Sequence, residues 1–89
     1  MKRVIRVSEK DNTAVVLCDL QKGEVLSELD QELTAMEDIP YGHKIALKDI
    51  KCGDNVYKYG EAVGRCIQDI PKGCWVHVHN VESIRGLGR

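Results

Sequence analysis

A five-residue unit recurs four times in this chain, and it constrains the fold more than any other feature. Each copy has Asp, a branched aliphatic residue, two variable residues and then Gly: DLQKG (19–23), DIPYG (38–42), DIKCG (49–53) and DIPKG (69–73). The Asp carboxylate can accept hydrogen bonds from the backbone amides just ahead of it, and Gly can adopt the positive φ that ends a turn. Each unit therefore predicts a tight corner with its aliphatic residue in the core. The copies start 19, 11 and 20 residues apart, which is too irregular for a solenoid.

Short runs typical of β-strands lie between these corners. They are RVIRV near the start, TAVVLC (13–18), EVLSEL (24–29), KIALKD (44–49), NVYKY (55–59), AVGRCI (62–67) and CWVHVHN (74–80). The segment QELTAMEDI (31–39) is the one candidate for a helix, and it is short. The prediction is therefore an all-β fold: a small, irregular β module with short strands, Gly corners and at most one short helical segment. A length of 89 residues suits a single domain, 1–89.

Charge and cysteine usage narrow the partners and the compartment. Thirteen basic and fourteen acidic residues are mixed along the chain, whereas a nucleic-acid-binding surface needs an excess of basic residues on one face. The longest apolar runs are a few residues, too short to span a membrane. The four cysteines form no CxxC pair, and the start lacks the apolar stretch of a signal peptide. We therefore expect a soluble cytoplasmic protein with reduced thiols and no contact with nucleic acid or membrane.

Three polar clusters are candidates for chemistry: GHK (42–44), KYGE (58–61) and HVHN (77–80). In an extended strand, alternate side chains share a face, so Trp75, His77 and His79 are predicted to point the same way. Two imidazoles at this spacing could ligate one metal or hold an anionic substrate. A mononuclear metal site needs at least a third ligand, and His43 is the only other histidine.

Each cluster also has a simpler interpretation. His43 and Lys44 could be solvated turn residues, and Lys58 and Tyr59 are ordinary on a half-exposed strand. His77 and His79 could line an exposed strand face. Spacing alone leaves both interpretations open.

Taken together and in order, the three clusters resemble those of a known family. The segment DIPYGHKIALKDIKCGDNVYKYGEAVGRCIQDIPKGCWVHVHNVESIRG, about residues 38–86, is similar to the small subunit or N-terminal domain of altronate (galactarate) dehydratases, and also to the small subunit of sulfolactate sulfo-lyase. The first 37 residues match more loosely. The resemblance implies an SAF-type β-clip fold, which agrees with the fold predicted from the residues.

The resemblance also implies a reaction: a carbon–oxygen lyase (hydro-lyase) that eliminates water from an aldonic or aldaric acid to give a 2-keto-3-deoxy acid. The implied cofactor of the assembled enzyme is a divalent metal, iron(II) or manganese, which would stabilise the enolate-like charge. His43, His77 and His79 are the catalytic candidates, and His77 and His79 are also candidate metal ligands. Lys44, Lys58, Tyr59 and Asn80 are the candidates for substrate binding. Tyr59 and Asn80 would hydrogen-bond substrate hydroxyls or orient the histidines.

The implied partner is a large catalytic dehydratase subunit or domain, without which this chain is expected to be inactive. Two alternatives remain: a subunit of a sulfo-lyase that releases sulfite, and a non-catalytic β module that binds a ligand or a partner. The sequence leaves open which sugar acid is the substrate and whether the chain forms a homo-oligomer.

Overall fold

Nine short strands and the turns that join them form the structure, a computed structural model that describes residues 2–29 and 31–83. The strands are β1 (Val4–Ile5), β2 (Thr13–Val16), β3 (Val25–Leu26), β4 (Leu33–Thr34), β5 (Lys44–Ala46), β6 (Asn55–Lys58), β7 (Glu61–Cys66), β8 (Trp75–Val76) and β9 (Val81–Ser83). They form a four-stranded sheet in the order β1-β2-β5-β8, a three-stranded sheet in the order β6-β7-β9, and the β3-β4 pair. Every pairing is antiparallel, so the predicted all-β class is confirmed.

The helix considered for residues 31–39 does not form. Leu33 and Ala35 are buried while Thr34 and Met36 are exposed, which is the alternation of a strand. Leu33 pairs with Leu26 across the β3-β4 ladder, so a tertiary partner overrides the weak helical preference of this segment. Within residues 2–29 and 31–83, no helix is long and apolar enough to cross a membrane.

The four corners behave as predicted in two respects. All four corner glycines have positive φ: 96° at Gly23, 83° at Gly42, 94° at Gly53 and 89° at Gly73. The aliphatic residue of each corner is at most 2% exposed: Leu20, Ile39, Ile50 and Ile70. The corners therefore turn the chain and fill the core at the same time.

Each corner carboxylate was predicted to accept hydrogen bonds from amides of its own corner, and this prediction is wrong because the corners associate in pairs. Asp19 accepts a hydrogen bond from the Tyr41 N–H at 2.8 Å, and Asp38 accepts one from the Lys22 N–H at 2.8 Å. The backbones of Leu20 and Ile39 exchange two further hydrogen bonds. Each carboxylate thus stabilises the opposite corner and not its own.

The second pair of corners repeats this arrangement. Asp49 accepts from the Lys72 N–H and Asp69 from the Cys52 N–H, both at 2.8 Å, while Ile50 and Ile70 exchange backbone hydrogen bonds. We call residues 19–23 with 38–42 the first corner pair, and residues 49–53 with 69–73 the second corner pair. The starts of the paired corners are separated by nearly equal distances along the chain, 19 and 20 residues.

Two hydrophobic cores accompany the two corner pairs. Leu20 and Ile39 belong to the first core, and Ile50 and Ile70 belong to the second. Strand β5 lies between them, because Ile45 packs into the first core and Ala46 into the second. Strand β5 is therefore held from both sides, and its first residue, Lys44, belongs to one of the predicted polar clusters.

Candidate functional site

Strand β8 is shorter than the sequence predicts, and HVHN forms a turn. The strand ends at Val76, and residues 77–80 reverse the chain toward β9. Asn80 causes this reversal, since its side chain accepts a hydrogen bond from the His77 N–H at 2.9 Å and donates one to the Trp75 carbonyl at 2.7 Å. Asn80 is only 3% exposed, which favours the orienting role over direct contact with a substrate.

The turn nevertheless brings the three histidine rings around the single tryptophan. The ring centroids are 4.5 Å apart for His43 and His77, and 5.3 Å apart for Trp75 with each of the three imidazoles. The planes of Trp75 and His77 are nearly parallel, at 14°. We call these four residues the ring cluster. The expected gathering of the histidines thus occurs, although a turn and not strand alternation produces it.

One hydrogen bond ties the ring cluster together. The Trp75 indole N–H donates to Nδ1 of His43 at 3.1 Å. The Trp75 backbone N–H donates to the carboxylate of Glu37 at 2.9 Å, which fixes the start of β8. Glu37 was not a candidate from the sequence, because an acidic residue directly before the Asp of a corner unit has no distinguishing pattern.

A cleft of about 340 Å³ opens beside the ring cluster, between the four-stranded and three-stranded sheets. Two cations and one imidazole line it: Lys44 from β5, Lys58 from β6, and His77. The rest of the lining is mainly apolar: Val56, Val63, Val76, Val78, Val81 and Ser83. A cleft lined by both cationic and apolar side chains suits a small organic anion.

The electrostatics of the cleft follow from this arrangement. Burial, with a smaller contribution from the positive charge of Lys58, lowers the pKa of the Lys44 ammonium. Burial also lowers the pKa of His77, and His43, Lys44 and His79 lower it further. His77 is therefore held neutral at physiological pH, when its ring can accept a proton.

Tyr59 lies at the tip of the β6-β7 hairpin and is 55% exposed. Its φ is 56° and that of Gly60 is 80°, the two positive values typical of a two-residue hairpin turn. The Lys58 ammonium lies 5.0 Å from the centroid of the Tyr59 ring. The hairpin thus presents Lys58 to the cleft and leaves the phenol in solvent.

Asp11, Asn12 and Thr13 connect this hairpin to the four-stranded sheet. Asp11 accepts from the N–H groups of Tyr59 and Gly60 at 2.9 and 2.7 Å. Burial raises the pKa of Asp11, but the backbone donors outweigh that effect and leave the pKa lowered. The carboxylate therefore stays ionised and clamps the turn.

The next two residues continue the connection along β6. The Asn12 amide bonds to the Asn55 carbonyl and the Tyr57 N–H at 3.0 and 2.9 Å, and the Thr13 hydroxyl donates to the Tyr57 carbonyl at 3.1 Å. These residues set the position of Lys58 relative to Lys44. None of the three was a candidate from the sequence, although three consecutive polar residues at the start of an apolar strand were a usable signal of buried polar groups.

The ring cluster does not form a metal site by itself. Across residues 2–29 and 31–83, no group of three or more His, Cys, Asp or Glu side chains is arranged to hold a metal ion. Nδ1 of His43 already accepts a hydrogen bond from the indole N–H, which leaves that nitrogen unavailable to a metal. The implied metal would therefore need ligands from outside the residues described.

The family match and the similar proteins of known name point to the same family. Residues 2–84 match the family described as the altronate/galactarate dehydratase SAF domain. The last part of the segment singled out by resemblance, residues 84–86, lies outside the described residues. The chain is 42% identical over 83 residues to altronate dehydratase from Bacillus subtilis, covering 93% of this chain and 17% of that protein.

Two further relatives have different substrates in their names. The chain is 50% identical over 56 residues to the (2R)-sulfolactate sulfo-lyase subunit alpha of Paracoccus pantotrophus, covering 63% of this chain and 84% of that protein. It is 36% identical over 74 residues to galactarate dehydratase (L-threo-forming) of Escherichia coli, covering 81% and 14%. The chain thus spans about a sixth of the length of the altronate dehydratases that it matches.

Proposed function

Because this chain belongs to the altronate/galactarate dehydratase SAF domain family, we propose that it forms one side of the active site of a sugar-acid dehydratase, together with a large catalytic chain or domain. The observation that carries the proposal is the cleft lined by Lys44, Lys58 and His77, with His43 packed 4.5 Å from His77. A hydroxylated carboxylic acid has the charge and size for such a cleft.

In this proposal the lysines bind the substrate carboxylate. Both ammonium groups line the same cleft, and a bound carboxylate would relieve the repulsion that contributes to the lowered pKa of Lys44. A carboxylate held by two cations can also carry part of the enolate-like charge that develops when the adjacent proton is removed.

His77 is the proposed proton acceptor, because its lowered pKa leaves the ring unprotonated at neutral pH and therefore available to accept a proton. The C–H bond next to the carboxylate breaks, its electron pair forms a carbon–carbon double bond, and the neighbouring C–O bond breaks. The departing hydroxyl takes a proton from an acid that the large chain supplies and leaves as water, and the proton on His77 then returns to that acid. The resulting enol then tautomerises to the 2-keto-3-deoxy acid.

The large chain completes the site in this proposal. Relatives of this family named altronate dehydratase are about six times longer than the matched region, so most of their residues lie elsewhere. If iron(II) or manganese takes part, its ligands come from that larger part. We place the assembled enzyme in the cytoplasm, where the exposed thiol of Cys52 would stay reduced.

Reconstitution tests this proposal. The chain is assayed for keto-acid formation from altronate and galactarate, alone and with a large dehydratase chain, in the presence of iron(II) or manganese. We expect no turnover by the 89-residue chain alone and turnover by the assembled enzyme. Turnover without the large chain, or a large chain whose activity does not depend on this module, contradicts the proposal.

A second substrate class deserves the same assay. The 50% identity to a sulfo-lyase subunit alpha favours testing sulfolactate, with sulfite release as the measurement. Sulfite release without keto-acid formation from the sugar acids would assign the chain to that reaction. Binding of the large chain with no effect on either reaction would indicate a non-catalytic module.

A further inference from the structure

The Trp75–His43 hydrogen bond joins two side chains whose backbones are fixed independently. His43 follows the first corner pair, where its N–H donates to the Pro40 carbonyl at 3.1 Å and its carbonyl accepts from Val16 at 2.8 Å. Trp75 pairs with Ile45 in the β5-β8 ladder, and Glu37 holds its N–H. The Trp75 ring also packs against the first core. The 3.1 Å contact between Nε1 and Nδ1 is therefore built into the framework.

The chemistry of the two rings decides where the proton of His43 lies. An indole N–H can only donate, so Nδ1 of His43 must offer a lone pair to accept this bond. A neutral imidazole carries one proton on its two nitrogens, so that proton is then on Nε2. A histidine in this form presents a hydrogen-bond donor at Nε2 and cannot act as a base at that atom.

We propose that Trp75 is a positioning residue that holds His43 in the neutral Nε2–H form. In this form His43 donates a hydrogen bond to an oxygen of the bound anion, while the adjacent His77 is free to accept a proton. The first part of this proposal concerns the molecule alone. The second part rests on the proposed function. The two adjacent imidazoles then have different tasks although their rings lie 4.5 Å apart.

The substitution Trp75→Phe tests the indole N–H hydrogen bond separately from the aromatic packing. Phe keeps an aromatic face against His77, which stacks on the indole at 14°, and removes only the N–H and the second ring. His79→Gln is the matched control for the hydrogen bond, because His79 contacts the same indole at a centroid distance of 5.3 Å, in a tilted arrangement separate from the indole N–H···Nδ1 bond to His43.

The first experiment is nitrogen NMR on the full 89-residue chain at about pH 8, above the usual titration range of imidazole. We expect a scalar coupling across the hydrogen bond between Nε1 of Trp75 and Nδ1 of His43, with the Nδ1 signal in the unprotonated range. The coupling should persist in His79→Gln, and Trp75→Phe should broaden or shift the His43 nitrogen signals. No coupling in the wild-type chain, or a protonated Nδ1, overturns the proposal without reference to any activity.

The second experiment measures kinetics in the assembled enzyme. Trp75→Phe should lower kcat by about 10-fold to 100-fold, the scale of losing the hydrogen-bond partner that orients a metal-bound imidazole. KM should change little, because the donor acts mainly on charge that develops during the reaction. An unchanged kcat beside a confirmed coupling overturns the positioning role. If the wild-type assembly has no lyase activity, the proposed function fails and the coupling alone decides the tautomer.

Discussion

The corner pairs and the ring cluster differ in how their side chains are held. Each corner Asp bonds to a backbone amide of the opposite corner at 2.8 Å, and each corner aliphatic residue is buried. The ring cluster is half-buried to exposed and contains one hydrogen bond between side chains. The corner pairs are therefore a framework that stabilises the fold, whereas the ring cluster is carried by that framework.

From this difference we infer that stability and chemistry are separable in this small chain. His43 follows Gly42 of the first corner pair, and Cys74-Trp75 follow Gly73 of the second. Each corner pair therefore leads into a residue of the ring cluster, His43 after the first pair and Trp75 after the second. Changes in the corner pairs should alter unfolding, and changes in the ring cluster should alter turnover. The following four experiments test this division, beginning with the largest expected effect.

Substitutions at two corner glycines should differ in cost. Gly42 and Gly73 both have positive φ, so Ala at either position should lose about 1–2 kcal/mol of unfolding free energy. A Cβ at Gly42 has no atom within 4 Å, but at Gly73 it would collide with the Thr34 carbonyl oxygen and lie 3.0 Å from Cγ of Met36. Gly73→Ala should therefore cost about 2–5 kcal/mol in total. Urea unfolding of both variants measures this, and equal losses would contradict the packing described at Gly73.

Histidine substitutions should affect activity and spare stability. His77→Ala and His79→Ala remove rings from a partly exposed surface, so the melting temperature should change little. In the assembled enzyme, turnover should fall by about 10²-fold or more if the ring transfers a proton. The exposed Gln68→Ala serves as a control for both measurements. Histidine variants that are stable and fully active would remove the ring cluster from the mechanism.

Removing a corner carboxylate should cost stability by an intermediate amount. Asp49→Ala or Asp69→Ala leaves one backbone N–H without its acceptor, and each should cost about 0.5–2 kcal/mol, the usual scale for a lost cap. Because the two carboxylates serve opposite sides of one corner pair, the double variant should deviate from the sum of the two. Strict additivity in thermal unfolding would mean that the two corners are energetically independent.

The smallest effect is the titration of His77. Its pKa should lie below the usual 6.5, and Lys44→Met should raise it because one of the nearby positive charges is removed. The unfolded chain binds this proton more readily than the folded chain, so lowering the pH through about 6.5 makes folding less favourable at this residue. Proton NMR of the ring signals gives the titration directly. A midpoint above 6.5 would contradict the proposed role of His77 as a proton acceptor.

The general fold could be predicted because its signals are local. Glycines that need positive φ and aliphatic residues that need burial identify the corners from five residues each. The partners of the corner carboxylates could not be predicted, since the bond from Lys72 to Asp49 joins residues 23 apart in sequence. Residues 31–39 were ambiguous for the same reason: Leu33 forms a strand because Leu26 is there to pair with it.

The sequence predicted which residues form the candidate site but not how the backbone holds them together. The sequence identified the histidines and lysines, and the structure brings His43 beside His77 and Lys44 and Lys58 into one cleft. The extended face expected for residues 74–80 ends at Val76 and a turn follows, because the Asn80 side chain bonds back to the His77 N–H and the Trp75 carbonyl before that turn. The catalytic and binding roles of the histidines and lysines stay predictions. The supporting Asp11, Asn12 and Thr13 bond to atoms more than 40 residues away, so a local run of polar residues could indicate their burial but not their partners.

The exchange of carboxylates between corners also has a consequence for how the chain reaches its native state. A turn that satisfies its own amides can form early and alone, but each of these turns lacks an acceptor until a segment 16–23 residues away has arrived. Loop-closure entropy must then be overcome before the bonds contribute, which slows folding. Strand β5 lies between both cores, so the two halves share one strand and neither has a complete nucleus of its own. We therefore expect the module to fold in one cooperative step, and a fragment cut within β5 to stay unfolded until its complement is added.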